Sequence, residues 1–123
     1  SVSAGMSIID VMNHTKCDVV TVCSGIAASM GAVIFSSGTP GKRYMLKHSE
    51  VLIHQPSGAF EGKESDIRIM ADHISRKKRE LIDVLAANCK QPTEKIEKDI
   101  EADYYMDAAE SVAYGIADKI LDA

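Results

Sequence analysis

The sequence has no apolar run of the roughly 18 residues that a membrane-spanning helix needs. Its longest small and apolar stretch covers only residues 25–35. A basic start followed by an apolar stretch is also missing, so the first residues do not form a secretory signal peptide. They enter a helical pattern directly, which is typical of a chain that begins in the middle of a fold. We expect no membrane segment.

Positive charge is not in excess, since the formal net charge is −4. This balance does not provide the basic surface with which proteins bind nucleic acid. The one basic cluster, residues 76–79, lies within a helical pattern that has acidic residues on both sides. It is interpreted as a solvated helix face, and no nucleic-acid partner is expected.

Cysteine is scarce, with three residues at Cys17, Cys23 and Cys89. An odd number without close pairs argues against a disulfide framework and for a reducing compartment. A bacterial cytoplasm, a mitochondrial matrix and a plastid stroma all satisfy that condition. The spacing of Cys17 and Cys23 does not fit a zinc knuckle, and no histidine follows at ligand spacing. We predict structural thiols and no bound metal.

The residues that are present are typical of one globular domain. The chain has 123 residues, of which 46% are hydrophobic and 26% are charged. Helical and β-branched segments alternate, which predicts an α/β fold. The predicted strands cover residues 18–23, 42–46 and 50–54. The predicted helices cover residues 2–13, 27–36, 65–88, 93–100 and 107–118.

The longest predicted helix, residues 65–88, has a middle that is entirely polar or charged. This gap in the apolar stripe predicts a helix that projects beyond the core and packs at both ends only. Thr93 is expected to cap the next helix. Asp107 and Glu110 have the spacing of a capping box, and residues 104–106 before them are interpreted as a link between helices.

Ser29 follows a predicted buried strand and Gly25, and it lies at the start of a helix of small residues. A strand-to-helix turn of this kind exposes a hydroxyl at the edge of a sheet, where backbone N–H groups can stabilise an oxyanion. The Gly-x-Ser-x-Gly pattern of nucleophile elbows is absent. From this context alone, a buried serine in a tightly packed helix is the alternative interpretation.

His54 ends the aliphatic strand Val51–Ile53 and precedes Gln55 and Pro56. The strand would fix the ring, and a neutral imidazole there can accept the proton of a serine and return it. A histidine at a sheet edge without a chemical role is the alternative. The remaining histidines are predicted on polar helix surfaces or in a turn.

Asp103 follows an acidic helix, where its carboxylate could orient the ring of His54. Spacing does not decide this assignment, because catalytic triads are spatial arrangements, and Asp99, Glu101 and Asp107 compete for the role. Asp107 is better placed as a helix cap. A nucleophile, a base and an orienting carboxylate together would carry out acyl transfer without a metal or an organic cofactor.

Three motifs resemble those of the Clp-type serine peptidases, the ClpP family. Gly-Ile-Ala-Ala-Ser-Met-Gly at residues 25–31 is similar to the nucleophile motif. Val-Leu-Ile-His-Gln-Pro at residues 51–56 is similar to the histidine motif, and Glu-Ala-Asp-Tyr-Tyr-Met at residues 101–106 to the aspartate segment. The intervals between the motifs also agree. The resemblance therefore implies a catalytic triad of Ser29, His54 and Asp103.

The resemblance also implies a fold and a binding site. The fold would be the ClpP/crotonase-like arrangement of stacked ββα units, with residues 61–90 as a projecting handle and residues 1–60 and 91–123 as the head. The Met30 N–H would be one oxyanion donor, and a second is expected upstream of Ser1, because the chain resembles a subunit without its N-terminal part. The substrate would pair as an added strand with an extended segment. That segment would consist of Pro56, Ser57, Gly58 and Ala59.

The partners are implied by the same resemblance. Clp peptidases form heptameric rings, two of which stack, and an AAA+ unfoldase such as ClpX, ClpA or ClpC feeds unfolded polypeptides into the chamber. This sequence has no nucleotide-binding loop, so ATP would be used by the unfoldase and no cofactor is expected here. Ala102 stands where many members carry an arginine thought to join the rings, so that charge pair is not carried over.

Two other functions fit parts of the pattern. A crotonase-type acyl-CoA enzyme would share the fold, but it needs no Ser–His–Asp set at these intervals. A non-catalytic ring subunit would only scaffold active partners, and such subunits usually lose a triad residue. Because all three residues are present, the sequence favours a serine endopeptidase.

Overall fold

The computed structural model describes residues 1–122. Within that range, helices and strands alternate as the α/β prediction requires, so the predicted fold class is confirmed. No helix among these residues is both long enough and apolar enough to cross a bilayer. The elements are, in order, α1 (Val2–His14), β1 (Thr21–Cys23), β2 (Ile26–Ala28), α2 (Met30–Ser36), β3 (Arg43–Leu46), β4 (Glu50–Ile53), α3 (Glu64–Cys89), α4 (Thr93–Asp99), β5 (Tyr104–Asp107), α5 (Ala108–Tyr114) and β6 (Lys119–Leu121).

The strands form two small sheets with three strands each, in the orders β1-β3-β6 and β2-β4-β5. The first sheet is parallel throughout. In the second, β2 pairs in parallel with β4, and β4 pairs antiparallel with β5. The carboxyl ends of β2 and β4 and the amino end of β5 therefore meet at one edge of the second sheet.

The core lies between the sheets and the helices that cover them. Val51 and Ile53 of β4 are buried, and they alternate with less buried neighbours, as expected for a strand with one face on the core. Helix α1 approaches α2 closely at Gly5, since a Cβ atom there would collide with the side chain of Met30. This close approach packs α1 against the first turn of α2, which directly follows Ser29.

Three predicted segments differ from the structure. Residues 27 and 28, predicted at the start of a helix, belong to β2 (Ile26–Ala28), because Gly25 turns the chain with a φ of 73° and places them beside β4. Residues 104–106 belong to β5 and are not a link. The last helix ends at Tyr114, where Gly115 adopts a left-handed conformation, and β6 follows it. The predicted strands 18–23, 42–46 and 50–54 appear in shortened form.

Helix α3 packs differently from the prediction. Its buried residues all lie in the C-terminal half, between Leu81 and Cys89. Apolar residues near its N-terminus are exposed, with relative accessibilities of 39% for Ile67, 64% for Ile69 and 40% for Met70. Within residues 1–122 the helix is therefore packed at one end only, because no other described element covers its first turns.

The predicted caps have different outcomes. Asp107 and Glu110 form the capping box of α5, with bonds in both directions, which confirms that prediction. Thr93 does not cap α4. It is the first residue of that helix, and Pro92 occupies the N-cap position without a side-chain bond. The extended conformation of Pro92 places the helix start one residue earlier than a Thr93 cap would.

Candidate active site

Ser29 occupies the single residue between β2 and α2. Its backbone has φ 53° and ψ −123°, a combination that residues other than glycine rarely adopt. The N–H of Ser29 donates to the carbonyl of Leu52 at 3.1 Å, so the strained residue is anchored to β4. The Met30 N–H that follows lies in the first turn of α2, where no intrahelical acceptor exists.

His54 directly follows β4. Because β2 and β4 are parallel, Ser29 and His54 leave the sheet at the same edge, and the Ser29 hydroxyl and His54 Nε2 form a hydrogen bond. The other ring nitrogen, Nδ1, lies 2.7 Å from the carbonyl oxygen of Gln55. A proton on Nδ1 donates to that carbonyl, which leaves Nε2 to accept the serine proton. This geometry is that of a nucleophile with its general base.

Asp103 lies close to this pair in the sheet register, but it is not bonded to it. The last paired residues of β4 and β5 are Ile53 and Tyr104, so His54 and Asp103 are the next opposed positions. The side chain of Asp103 is exposed, and among residues 1–122 it makes no hydrogen bond or ion pair with His54. The structure thus brings Ser29 and His54 together, whereas Asp103 is opposite His54 in the register without a bond to it.

The carboxylates that competed with Asp103 have other partners or positions. Asp99 accepts a hydrogen bond from Tyr114 and pairs with Lys95. Asp107 caps α5. Glu101 is exposed and contributes its backbone carbonyl to a bond with Gln55. Asp103 therefore remains the carboxylate whose register position is opposite the imidazole.

Gln55 connects the histidine strand to the turn that carries Asp103, a role the sequence analysis missed. Its N–H donates to the carbonyl of Ile100 at 2.9 Å, and its Nε2 donates to the carbonyl of Glu101 at 3.2 Å. Its own carbonyl accepts from His54. The only signal in the sequence was its position beside the predicted base.

A cavity of about 510 Å³ opens beside Ser29 and His54. Much of its wall is apolar, because α3 contributes Leu81 and Leu85 from the half of the helix that packs on the core. The sequence did not assign these residues to a site, since contacts between distant elements are not visible in a periodic pattern. Further apolar side chains on the wall are Val2, Met30, Ile53 and Ile100.

The predicted substrate-binding segment lies at the rim of this cavity. Pro56 and Ser57 contact it, and Ser57, Gly58 and Ala59 are exposed and outside any helix or strand. Within the described chain, the backbone N–H and C=O groups of residues 57–59 make no backbone hydrogen bond. An extended segment with free backbone groups can accept an added strand.

Comparisons with known proteins agree with the motifs. The family model described as Clp protease matches residues 1–123. The ATP-dependent Clp protease proteolytic subunit of Porphyromonas gingivalis (strain ATCC BAA-308 / W83) is 48% identical over 122 residues, which cover 99% of this chain. The chain spans about half the length of this curated relative, since the match covers 55% of it. The resemblance is confirmed, and this chain belongs to the Clp protease family.

Proposed function

We propose that this chain is the catalytic portion of a Clp-type proteolytic subunit, a serine endopeptidase that hydrolyses unfolded polypeptides. The observation that carries the proposal is the hydrogen bond between the Ser29 hydroxyl and His54 Nε2. Ser29 attacks the peptide carbonyl and forms an acyl-enzyme, while His54 accepts its proton and returns it to the leaving amine. Water then hydrolyses the acyl-enzyme by the same proton transfers.

Asp103 is the orienting carboxylate in this proposal. Its position opposite His54 in the β4–β5 register supports the assignment. Rotation of its exposed side chain toward Nδ1 would replace the Gln55 carbonyl as acceptor and stabilise the imidazolium that forms during acylation. The Gln55 carbonyl holds the same tautomer until then.

The oxyanion of the tetrahedral intermediate would be bound by backbone donors. The Met30 N–H is one donor, because it follows the nucleophile at the start of α2. The second would come from a residue upstream of Ser1. A residue at that place would be near the nucleophile, because Ser1 lines the same cavity as Ser29.

The substrate would lie along the rim and place a side chain in the cavity. Residues 57–59 would pair with it as an added strand, with Pro56 shaping the start of that segment. The apolar walls formed by Met30, Leu81 and Leu85 favour an apolar side chain at the residue whose carbonyl is attacked. Backbone pairing fits many sequences, which suits an enzyme for unfolded chains.

Assembly and partners are proposed from the family. The chain would form heptameric rings, two of them stacked, with residues 61–90 as the handle, and an AAA+ unfoldase such as ClpX, ClpA or ClpC would supply substrates and use ATP. The exposed apolar residues Ile67, Ile69 and Met70 on the first turns of α3 support burial against another copy. The free thiols suit a reducing compartment, such as a bacterial cytoplasm, a mitochondrial matrix or a plastid stroma.

The decisive experiment uses the full-length protein with a fluorescent fluorophosphonate probe and a short peptide substrate. The probe should label Ser29, and Ser29→Ala should abolish both labelling and cleavage. Ser24→Ala is the matched control, since Ser24 is an exposed serine in the turn between β1 and β2 and does not line the cavity. Equal cleavage by the wild type and Ser29→Ala would refute the proposal. Hydration of an enoyl thioester without peptide cleavage would favour a crotonase-type enzyme instead.

A further inference from the structure

The turn that carries Asp103, residues 100–103, joins α4 to β5. Gln55 donates to the carbonyls of Ile100 and Glu101 in its first half, but no described group bonds the side chain of Asp103. Only Ile100 is buried, whereas Glu101, Ala102 and Asp103 are exposed. Short exposed turns adopt many conformations unless their flanks are fixed. Beyond the two bonds from Gln55, the position of the Asp103 carboxylate therefore depends on what holds the two ends of this turn.

Tyr114 of α5 contacts both flanks of the turn. On the N-terminal side, its hydroxyl donates to Asp99 Oδ2 at 2.6 Å. On the C-terminal side, its ring makes an edge contact with Tyr104, with 5.8 Å between centroids and 88° between planes. Asp99 immediately precedes the turn, and Tyr104 immediately follows Asp103. One side chain thus holds the last residue before the turn and the first residue after it.

The hydrogen bond from the Tyr114 hydroxyl to Asp99 is a strong one. The acceptor is a carboxylate, so the bond is charge-assisted. Lys95 contacts both partners, because its Nζ lies 3.1 Å from Asp99 Oδ2 and 5.2 Å from the centre of the Tyr114 ring. Burial, followed by the bond to Asp99, raises the pKa of Tyr114, so the phenol stays protonated and remains a donor.

Tyr114 is itself held on a fixed support. Helix α5 begins with the capping box of Asp107 and Glu110, and Ser111 donates to the carbonyl of Asp107 at 2.7 Å. At the other end, Gln91 Nε2 donates to the carbonyl of Tyr114 at 3.0 Å. Because α5 is hydrogen-bonded at both ends, the Tyr114 side chain has a fixed position and can in turn hold the turn at residues 100–103.

We infer that Tyr114 is a positioning residue for the proposed catalytic reaction, which fixes the turn at residues 100–103 so that Asp103 reaches His54 at low entropic cost. This inference rests on the proposed function, since it assigns Asp103 the orienting role. Tyr114 does not line the cavity beside Ser29, so it acts only through the turn.

The test is a double-mutant cycle in the full-length protein, with kcat and KM measured on a short peptide for the wild type, Tyr114→Phe, Asp103→Asn and the double variant. Tyr114→Phe keeps the ring contact with Tyr104 and removes only the bond to Asp99. It should lower kcat about tenfold, the scale of one charge-assisted hydrogen bond, and leave KM within about twofold. In the Asp103→Asn background it should change kcat by less than about twofold, because the carboxylate it positions is gone.

The outcomes separate the inference from the proposed function. An equal loss from Tyr114→Phe in both backgrounds would show a merely structural role, and no loss in the wild type would also overturn the inference. If Asp103→Asn and Ser29→Ala both retain full activity, the proposed function fails instead.

Tyr105→Phe is the matched control, because that exposed ring lies on β5 and its hydroxyl makes no hydrogen bond among residues 1–122; it should keep wild-type kcat. Asp99→Asn is the second variant, which removes the charge but keeps an oxygen acceptor, and it should show the same dependence on Asp103.

Discussion

His54 Nδ1 and the carbonyl oxygen of Gln55, the next residue along the chain, lie 2.7 Å apart. A proton on Nδ1 is thus held by the backbone itself, and Nε2 is left free to accept from Ser29. In a Ser–His–Asp triad the aspartate usually performs this task and also stabilises the imidazolium. In the proposed mechanism the two tasks are divided between the Gln55 carbonyl, which is already in place, and the Asp103 carboxylate, which would rotate to the ring.

This division predicts the effect of Asp103→Asn. Where the aspartate alone sets the tautomer, its loss costs about 10,000-fold in kcat. Because Gln55 keeps the tautomer, we expect only the charge stabilisation to be lost, a decrease in kcat of about 100-fold. Steady-state hydrolysis of a short peptide measures it, with Ser29→Ala as the background.

Glu101→Gln provides the control for that experiment, since Glu101 is exposed in the same turn and its side chain bonds no described residue. Its activity should equal that of the wild type. A loss for Asp103→Asn as complete as that of Ser29→Ala would contradict the role assigned to the Gln55 carbonyl.

Helices with long apolar repeats could be predicted from the sequence. Helix α3 was expected at residues 65–88 and extends over Glu64–Cys89, because 26 residues give the helical period enough turns to be visible. Strands β2, β5 and β6 were missed, because each has three or four residues and exists through partners elsewhere in the chain. Local patterns do not contain that information.

The candidate site shows the same division. The motifs around Ser29 and His54 identified the two residues that share a hydrogen bond. The sequence did not reveal Gln55, Tyr114 or the cavity wall from α3, because these contacts depend on the packing of distant elements. The exposure of the first turns of α3 could not be predicted either. An apolar stripe in the sequence does not indicate which of its residues are buried within a single chain.

Asp118 should be important for stability, because it neutralises a buried arginine. Arg43 has a side-chain accessibility of 7%, and its Nη2 atom lies 2.7 Å from Asp118 Oδ1. Asp118→Ala would leave Arg43 buried without its counterion, and we expect the free energy of unfolding to fall by about 3 kcal/mol. Urea unfolding followed by circular dichroism measures the change. Asp18→Ala breaks the exposed pair with Lys42 and should be indistinguishable from the wild type.

The same pair predicts a pH dependence. Hydrogen bonds from Arg43 are the main reason that the pKa of Asp118 is lowered from its ordinary value of 3.8. The folded state therefore binds this proton more weakly than the unfolded state, so the stabilisation is complete above the ordinary pKa and is lost as the pH falls through the folded pKa. The stability difference between wild type and Asp118→Asn should be constant down to about pH 5 and shrink below about pH 4. A difference that grows in acid would contradict this assignment.

The thiols should differ in reactivity. Burial raises the pKa of the Cys89 thiol to about 12 and also raises that of Cys23, whereas Cys17 is exposed. Iodoacetamide at pH 8 should therefore alkylate Cys17 in the native protein and reach Cys23 and Cys89 only after denaturation. Peptide mass spectrometry identifies the modified residues. Alkylation of native Cys89 as fast as that of Cys17 would show that this part of the core opens readily.

Gly115 should not tolerate a side chain. Its φ is 96°, in the left-handed region, and an added Cβ atom would collide with the backbone carbonyl oxygen of Cys89. Because neither group can move without shifting α3 or α5, Gly115→Ala should lower the free energy of unfolding by about 2 kcal/mol or more.

Gly31→Ala is the matched control, since a Cβ atom at Gly31 meets nothing within 4 Å and the residue lies inside α2. It should keep or slightly raise stability, because alanine favours a helix. Equal stability of the two variants in thermal unfolding would mean that the turn after α5 can relax, and Tyr114 would then lack its fixed support.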